Sequence, residues 1–101
     1  MPAVVEVTGE IARIILAGDV DFSTQESLST ASDQALNIAS AKEIRVDMTN
    51  VTFIDSSVIR ALLKLQESAT TRGKTVSIWN CNAHIREIFV IGGFDLMFVI
   101  R

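Results

Sequence analysis

The chain has 101 residues, 49% of them hydrophobic and 21% charged, with a formal net charge of −3 and a pI near 5.0. That length holds one domain, residues 1–101, and the apolar content excludes a disordered chain. The acidic balance and the absence of any Lys/Arg run exclude a non-specific grip on nucleic acid or anionic lipid, which clustered cations drive by counterion release.

The opening residues, Met1 to Glu10, carry acids where a signal peptide needs cations. No apolar run approaches the ~20 residues of a spanning helix. The reading is a soluble, cytoplasmic protein with no membrane segment. Residues 3–7 and 11–16 are short, β-branched and apolar around Thr8-Gly9-Glu10, which predicts a hairpin. After Gly18 the period changes: Leu28, Ala31, Ala35, Leu36 and Ala39 recur at helical spacing behind Asp21 and Ser23, two candidate caps, predicting a helix over 24–39. A strand follows at 44–48. Apolar residues at 58, 62, 65 and 69 predict a second helix over 58–72, stopped at Gly73. The chain continues with a strand at 76–79, a third helix over 83–91 with Ile85, Ile88 and Phe89 inward, a stop at Gly92-Gly93, and a last strand at 97–100.

Strands alternating with helices require right-handed crossovers and a mostly parallel sheet, to which the N-terminal hairpin adds one antiparallel pair. The expected fold is therefore α/β: a mixed β-sheet packed with three helices. Loops at the carboxyl ends of parallel strands gather beside helix N-termini, where function usually sits. Two polar loops are expected there, 18–24 and 51–57.

Within the second loop, Phe53-Ile54-Asp55-Ser56-Ser57 places a carboxylate and two hydroxyls where an apolar segment enters a helix. Capping is the common use of such groups and stabilises by ~1 kcal/mol. The sharper use is phosphate acceptance, because a serine at a helix start sets its phosphate against free amides and the positive end of the dipole. Phosphorylation adds a charge of about −1.5 to −2, which changes a docking surface rather than the fold.

The Asp55-Ser56-Ser57 triplet resembles the phosphorylation loop of the STAS-domain anti-sigma factor antagonists. Gly18-Asp19-Val20-Asp21 resembles the element closing that family's second strand, and Phe89 with Gly92-Gly93-Phe94 its late helix and turn. The resemblance runs over about residues 3–100 in matching element order. It implies partner switching: the unphosphorylated antagonist binds an anti-sigma factor that is also a serine kinase, the kinase phosphorylates it, and a phosphatase resets it. Carried over by position, the acceptor is Ser56, with Ser57 the second hydroxyl. Asp55 is the flanking acid and Asp21 the carboxylate of the neighbouring loop on the docking surface; either also suits a cap.

Where the family continues Gly-Leu-Gly, this chain reads Val58-Ile59-Arg60. Val58 and Arg60 are thus expected to present side chains to the partner, with Arg60 reaching an acidic group or the phosphate. Either the partner has a matching surface or the protein docks without being phosphorylated. Many family members add a helix after the last strand, whereas this sequence ends at Arg101; the expectation is a less covered sheet face, available to a partner or to a second copy in a homodimer.

Other residues carry little. The lone cysteine, Cys81, cannot close an internal disulfide, and Trp79 and Cys81 read as core. His84 reads as solvated or capping, and on a separate element it builds no triad with Ser56 or Ser57. Asp21, Asp47 and Asp55 lack the spacing of a metal site. Gly92-Gly93 has no phosphate-loop context. No enzyme activity, cofactor or metal is expected, and a nucleotide-binding or hydrolytic domain is the weakest reading. A stronger alternative is a STAS subunit that docks on the ATPase of a lipid ABC transporter.

Overall fold

A computed structural model describes residues 3–101. Strand β1 (Val4–Thr8) folds back on β2 (Ile11–Val20) in antiparallel register, Val4 opposite Ile15 and Thr8 opposite Ile11. Gly9 turns between them at φ +59, a backbone angle that costs a residue without Cβ little. Strands β3 (Glu43–Ile54), β4 (Thr75–Trp79) and β5 (Val99–Ile100) add in parallel, so the sheet order is β1-β2-β3-β4-β5. The crossovers are α1 (Gln25–Leu36), α2 (Ser56–Thr71) and α3 (Ala83–Ile91), with 3₁₀ turns at Phe22–Thr24 and Phe94–Leu96.

An order that never reverses, combined with right-handed crossovers, lays all three helices on one face of the sheet. The register agrees. Ile14, Val46 and Ile78 stand side by side and all are fully buried, whereas the next row, Arg13, Arg45 and Ser77, points the other way. Onto the apolar row pack Leu28, Ala31 and Ala35 of α1, Val58, Leu62, Leu65 and Ala69 of α2, and Ile85 and Phe89 of α3. Phe98 meets Phe89 edge to face, ring centroids 6.4 Å apart.

The helix-free face is covered by its own long side chains. Arg13 pairs with Asp47 at 2.6 Å, Arg45 with Glu43 at 2.8 Å, and Ser77 donates to Glu43 at 2.8 Å. Trp79 belongs to this layer and not to the core expected for it: its indole N–H donates to Ser77, and the Arg45 guanidinium lies 4.5 Å above the ring. Cys81 is half-buried against the core, and that burial pushes its thiol pKa up.

Five elements differ most from expectation in their bounds. Strands β2 and β3 run on through residues expected in loops, as far as Val20 and Ile54. Helix α1 ends at Leu36, leaving Ala39 outside it and exposed. Helix α2 begins two residues early, at Ser56, and β5 is reduced to Val99–Ile100 because a 3₁₀ turn takes Phe94–Leu96.

Candidate functional site

The extra length of β2 and β3 builds the site. Beyond the end of β4 these two strands pair only with each other, Gly18 opposite Val51, Asp19 opposite Phe53 and Val20 opposite Ile54, with register shifts on the way. The Thr52 hydroxyl donates to Asp19 at 2.7 Å across the pair. The ladder delivers Asp21 and Asp55, the residues that follow the two strands, to one edge of the molecule.

Both acids cap. Asp21 accepts the Ser23 amide at 2.9 Å and, with Thr24 reaching back to its own amide at 3.1 Å, closes a capping box on the 3₁₀ turn before α1. Asp55, in extended backbone, caps α2 by accepting the amides of Ser57 at 2.9 Å and Val58 at 3.3 Å, together with the Ser57 hydroxyl. Its second oxygen accepts the amide of Phe22 at 3.0 Å. One carboxylate thus fastens the α1 entrance to the start of α2. The Ser57 hydroxyl bond, and then the amides of Phe22, Ser57 and Val58, hold the Asp55 carboxyl below the usual carboxylate range. Gln25 adds a second link, donating to the Ser57 carbonyl at 3.1 Å.

The two serines are not equivalent. The hydroxyl of Ser57 is committed to Asp55. Ser56, the first residue of α2, is exposed, and its hydroxyl bonds to no other described residue. A phosphate there would not find the Ser57 and Val58 amides free, as the sequence suggested, because Asp55 already occupies them. It would stand instead as added negative charge in solvent beside that carboxylate.

Val58 requires a correction. The residue is 0% exposed, its side chain in the core, so it presents nothing to a partner. Arg60 is exposed one turn beyond Ser56 and lines the groove between α1 and α2.

Phe22 escaped the sequence reading. It is 77% exposed, and Phe53 at the end of β3 is 46% exposed. The available signal was an aromatic residue inside a polar loop between two caps, Asp21-Phe22-Ser23. Asp47 lies on the helix-free face, bonded to Arg13 and to the Thr49 amide at 3.0 Å, and does not join Asp21 and Asp55. His84 is exposed on α3, with no hydrogen bond to Ser56 or Ser57.

Comparison with known proteins agrees with this fold. The family model described as "Mlab, STAS domain" matches residues 3–100. A STAS-domain containing protein of Pseudomonas aeruginosa (strain UCBPP-PA14) is 28% identical over 92 residues, 91% of this chain and 89% of that protein. Among solved structures, the anti-sigma factor antagonist SpoIIAA in its unphosphorylated form is similar at a TM-score of 0.75 and 20% identity, over 98% of this chain and 86% of that one. A sulfate transporter family protein from Wolinella succinogenes is similar at a TM-score of 0.78 and 20% identity, over 94% of this chain and 80% of that one. At such identities the structural likeness shows the fold alone.

Proposed function

The chain belongs to the STAS domain family, and we propose that within it this protein is an anti-sigma factor antagonist switched by phosphorylation of Ser56. In its unmodified form it docks through the Asp21, Asp55 and Arg60 edge on an anti-sigma factor with serine kinase activity, releasing the sigma factor for transcription. The kinase transfers the γ-phosphoryl group of ATP to the Ser56 oxygen, ADP leaves, and the hydroxyl proton is lost. A phosphatase restores the hydroxyl by hydrolysis. The protein itself supplies no catalytic group and works in the cytoplasm.

The observation that carries this reading is the division of labour in the triplet. Asp55 caps the helix and Ser57 is bonded to Asp55, which leaves Ser56 as the exposed, unengaged hydroxyl. Because the cap does not depend on Ser56, a phosphate can be added and removed without unfolding α2. The added charge meets the fixed Asp55 carboxylate at a surface already shaped for a partner, and like charge there weakens docking.

A second reading, docking on the ATPase of a lipid ABC transporter without phosphoryl transfer, is favoured by one feature. Arg60 projects from the docking edge where the family's phosphorylated members offer glycine. Intact-mass spectrometry of the protein from its own cells, with fragmentation across residues 51–65, separates the two. A single phosphate on Ser56 is expected. Its reproducible absence under several stress conditions overturns the switch and favours the transporter.

A further inference from the structure

Beside Ser56 a groove of about 370 Å³ runs between α1 and α2. Leu28, Leu36 and Leu65 close its bottom as part of the core, each at most 7% exposed, so the accessible apolar surface lies with Phe22, 77% exposed, and the half-buried Ala61. Along one wall stand Arg60 and Lys64, one helical turn apart; both are exposed, and neither forms an ion pair with another described residue. A single acid, Asp33 on α1, faces them. On a chain of net charge −3 this groove is a local cationic exception.

Phe22 stands at the groove's mouth. Its amide is tied to Asp55, and its turn is capped by Asp21. The ring is therefore offered to a partner from a backbone that is already ordered, which lowers the cost of using it as an interface anchor. A groove between two helices, an exposed aromatic on a capped turn at one end and paired cations along one wall suit an amphipathic helix laid along it.

Resting on the function proposed above, we infer that this groove receives a carboxylate-rich amphipathic helix of the protein partner, its apolar side toward Phe22 and Ala61 and its acids toward Arg60 and Lys64. Ser57 also lines the groove, so the mouth adjoins Ser56. A phosphate of about −1.5 to −2 on Ser56 outweighs the groove's small cationic excess. The acidic helix is then repelled, and the modification acts through the groove as well as at its own position.

The test is an amide-resolved NMR titration of the full chain with a synthetic amphipathic helix bearing leucines on one face and glutamates on the other. Shifts are expected along α1 and the first half of α2. Binding should weaken about tenfold in Lys64→Glu, where an attraction at contact distance becomes a repulsion, and a peptide with lysines in place of the glutamates should not bind. The Lys64→Glu spectrum also reports whether that variant stays folded. Groove amides that do not move, equal binding by Lys64→Glu, or groove shifts that follow protein concentration without peptide, which would indicate a second copy, each overturn the proposal. This titration is independent of phosphorylation in cells. A chain never phosphorylated that binds the acidic helix overturns the switch and keeps the groove; a phosphorylated chain that ignores the helix does the reverse.

Discussion

Val58 is the sharpest point of conflict between family pattern and packing, and replacing it with the family's glycine tests which prevails. Its side chain is fully buried among the residues of the α2 core face. Val58→Gly removes three carbon groups from that core, each worth ~0.8 kcal/mol of transfer free energy. Incomplete collapse of the resulting void adds up to about 1 kcal/mol, and glycine's poorer helix propensity adds a few tenths. The expected loss is about 3 kcal/mol, a large share of the roughly 5–15 kcal/mol that holds a small domain folded. In urea, at ~1–1.5 kcal/mol per M for a domain of this size, the unfolding midpoint should fall by about 2–3 M. Arg60→Gly, at the family's other glycine position, is an exposed change within the helix and should cost about 1 kcal/mol or less. Partner affinity under folding conditions should respond the other way round, nearly unchanged in Val58→Gly and altered in Arg60→Gly. A Val58→Gly midpoint within about 0.5 M of wild type, accompanied by altered partner binding, would refute the burial argument and return Val58 to the docking surface.

Ser56→Ala should leave stability within about 0.5 kcal/mol of wild type, because the exposed hydroxyl bonds to no other described residue, while abolishing phosphorylation in a mass-spectrometric kinase assay. Ser57→Ala removes the hydroxyl bond to Asp55 and should lower the thermal midpoint, yet still be phosphorylated on Ser56; modification confined to residue 57 would reverse the assignment. Since the folded-state pKa of Asp55 is depressed, its carboxylate contributes stability above the unfolded pKa and loses that contribution as pH falls through the lower folded value. Asp55→Asn should therefore show a shallower decline of the urea midpoint between about pH 5 and pH 2 than wild type. Both slopes remain finite because Asp47 and Glu43 are depressed too, and coincident slopes would remove Asp55 from the acid response.

Where burial has a period, the chain is transparent. The 58, 62, 65, 69 spacing gives the phase of α2, and Ala83–Ile91 is bounded by a cap at Asn82 and a stop at Gly92 that residue type alone suggests. The far ends of β2 and β3 are opaque for an equally physical reason. Gly18, Asp19 and Asn50 are poor strand formers, and they are extended only because each strand finds the other, a pairing made across the chain. Trp79 misleads similarly, since the arginines that cover it come from β3 and the C-terminus.

At Val58 the sequence carries two conflicting signals: periodicity places the residue inward, and the family pattern places it on the docking face. Helical phase decides, because a side chain three, four or seven residues from Ala61, Leu62 and Leu65 shares their side of the helix unless the helix breaks. The same phase has a second consequence. If 58, 62, 65 and 69 point inward, then 56, 60, 64 and 67 point outward, and all four are exposed. The candidate phosphate acceptor and the two cations of the groove therefore occupy one stripe on one helix, so charge placed on the first position acts on the next two at a spacing of single helical turns.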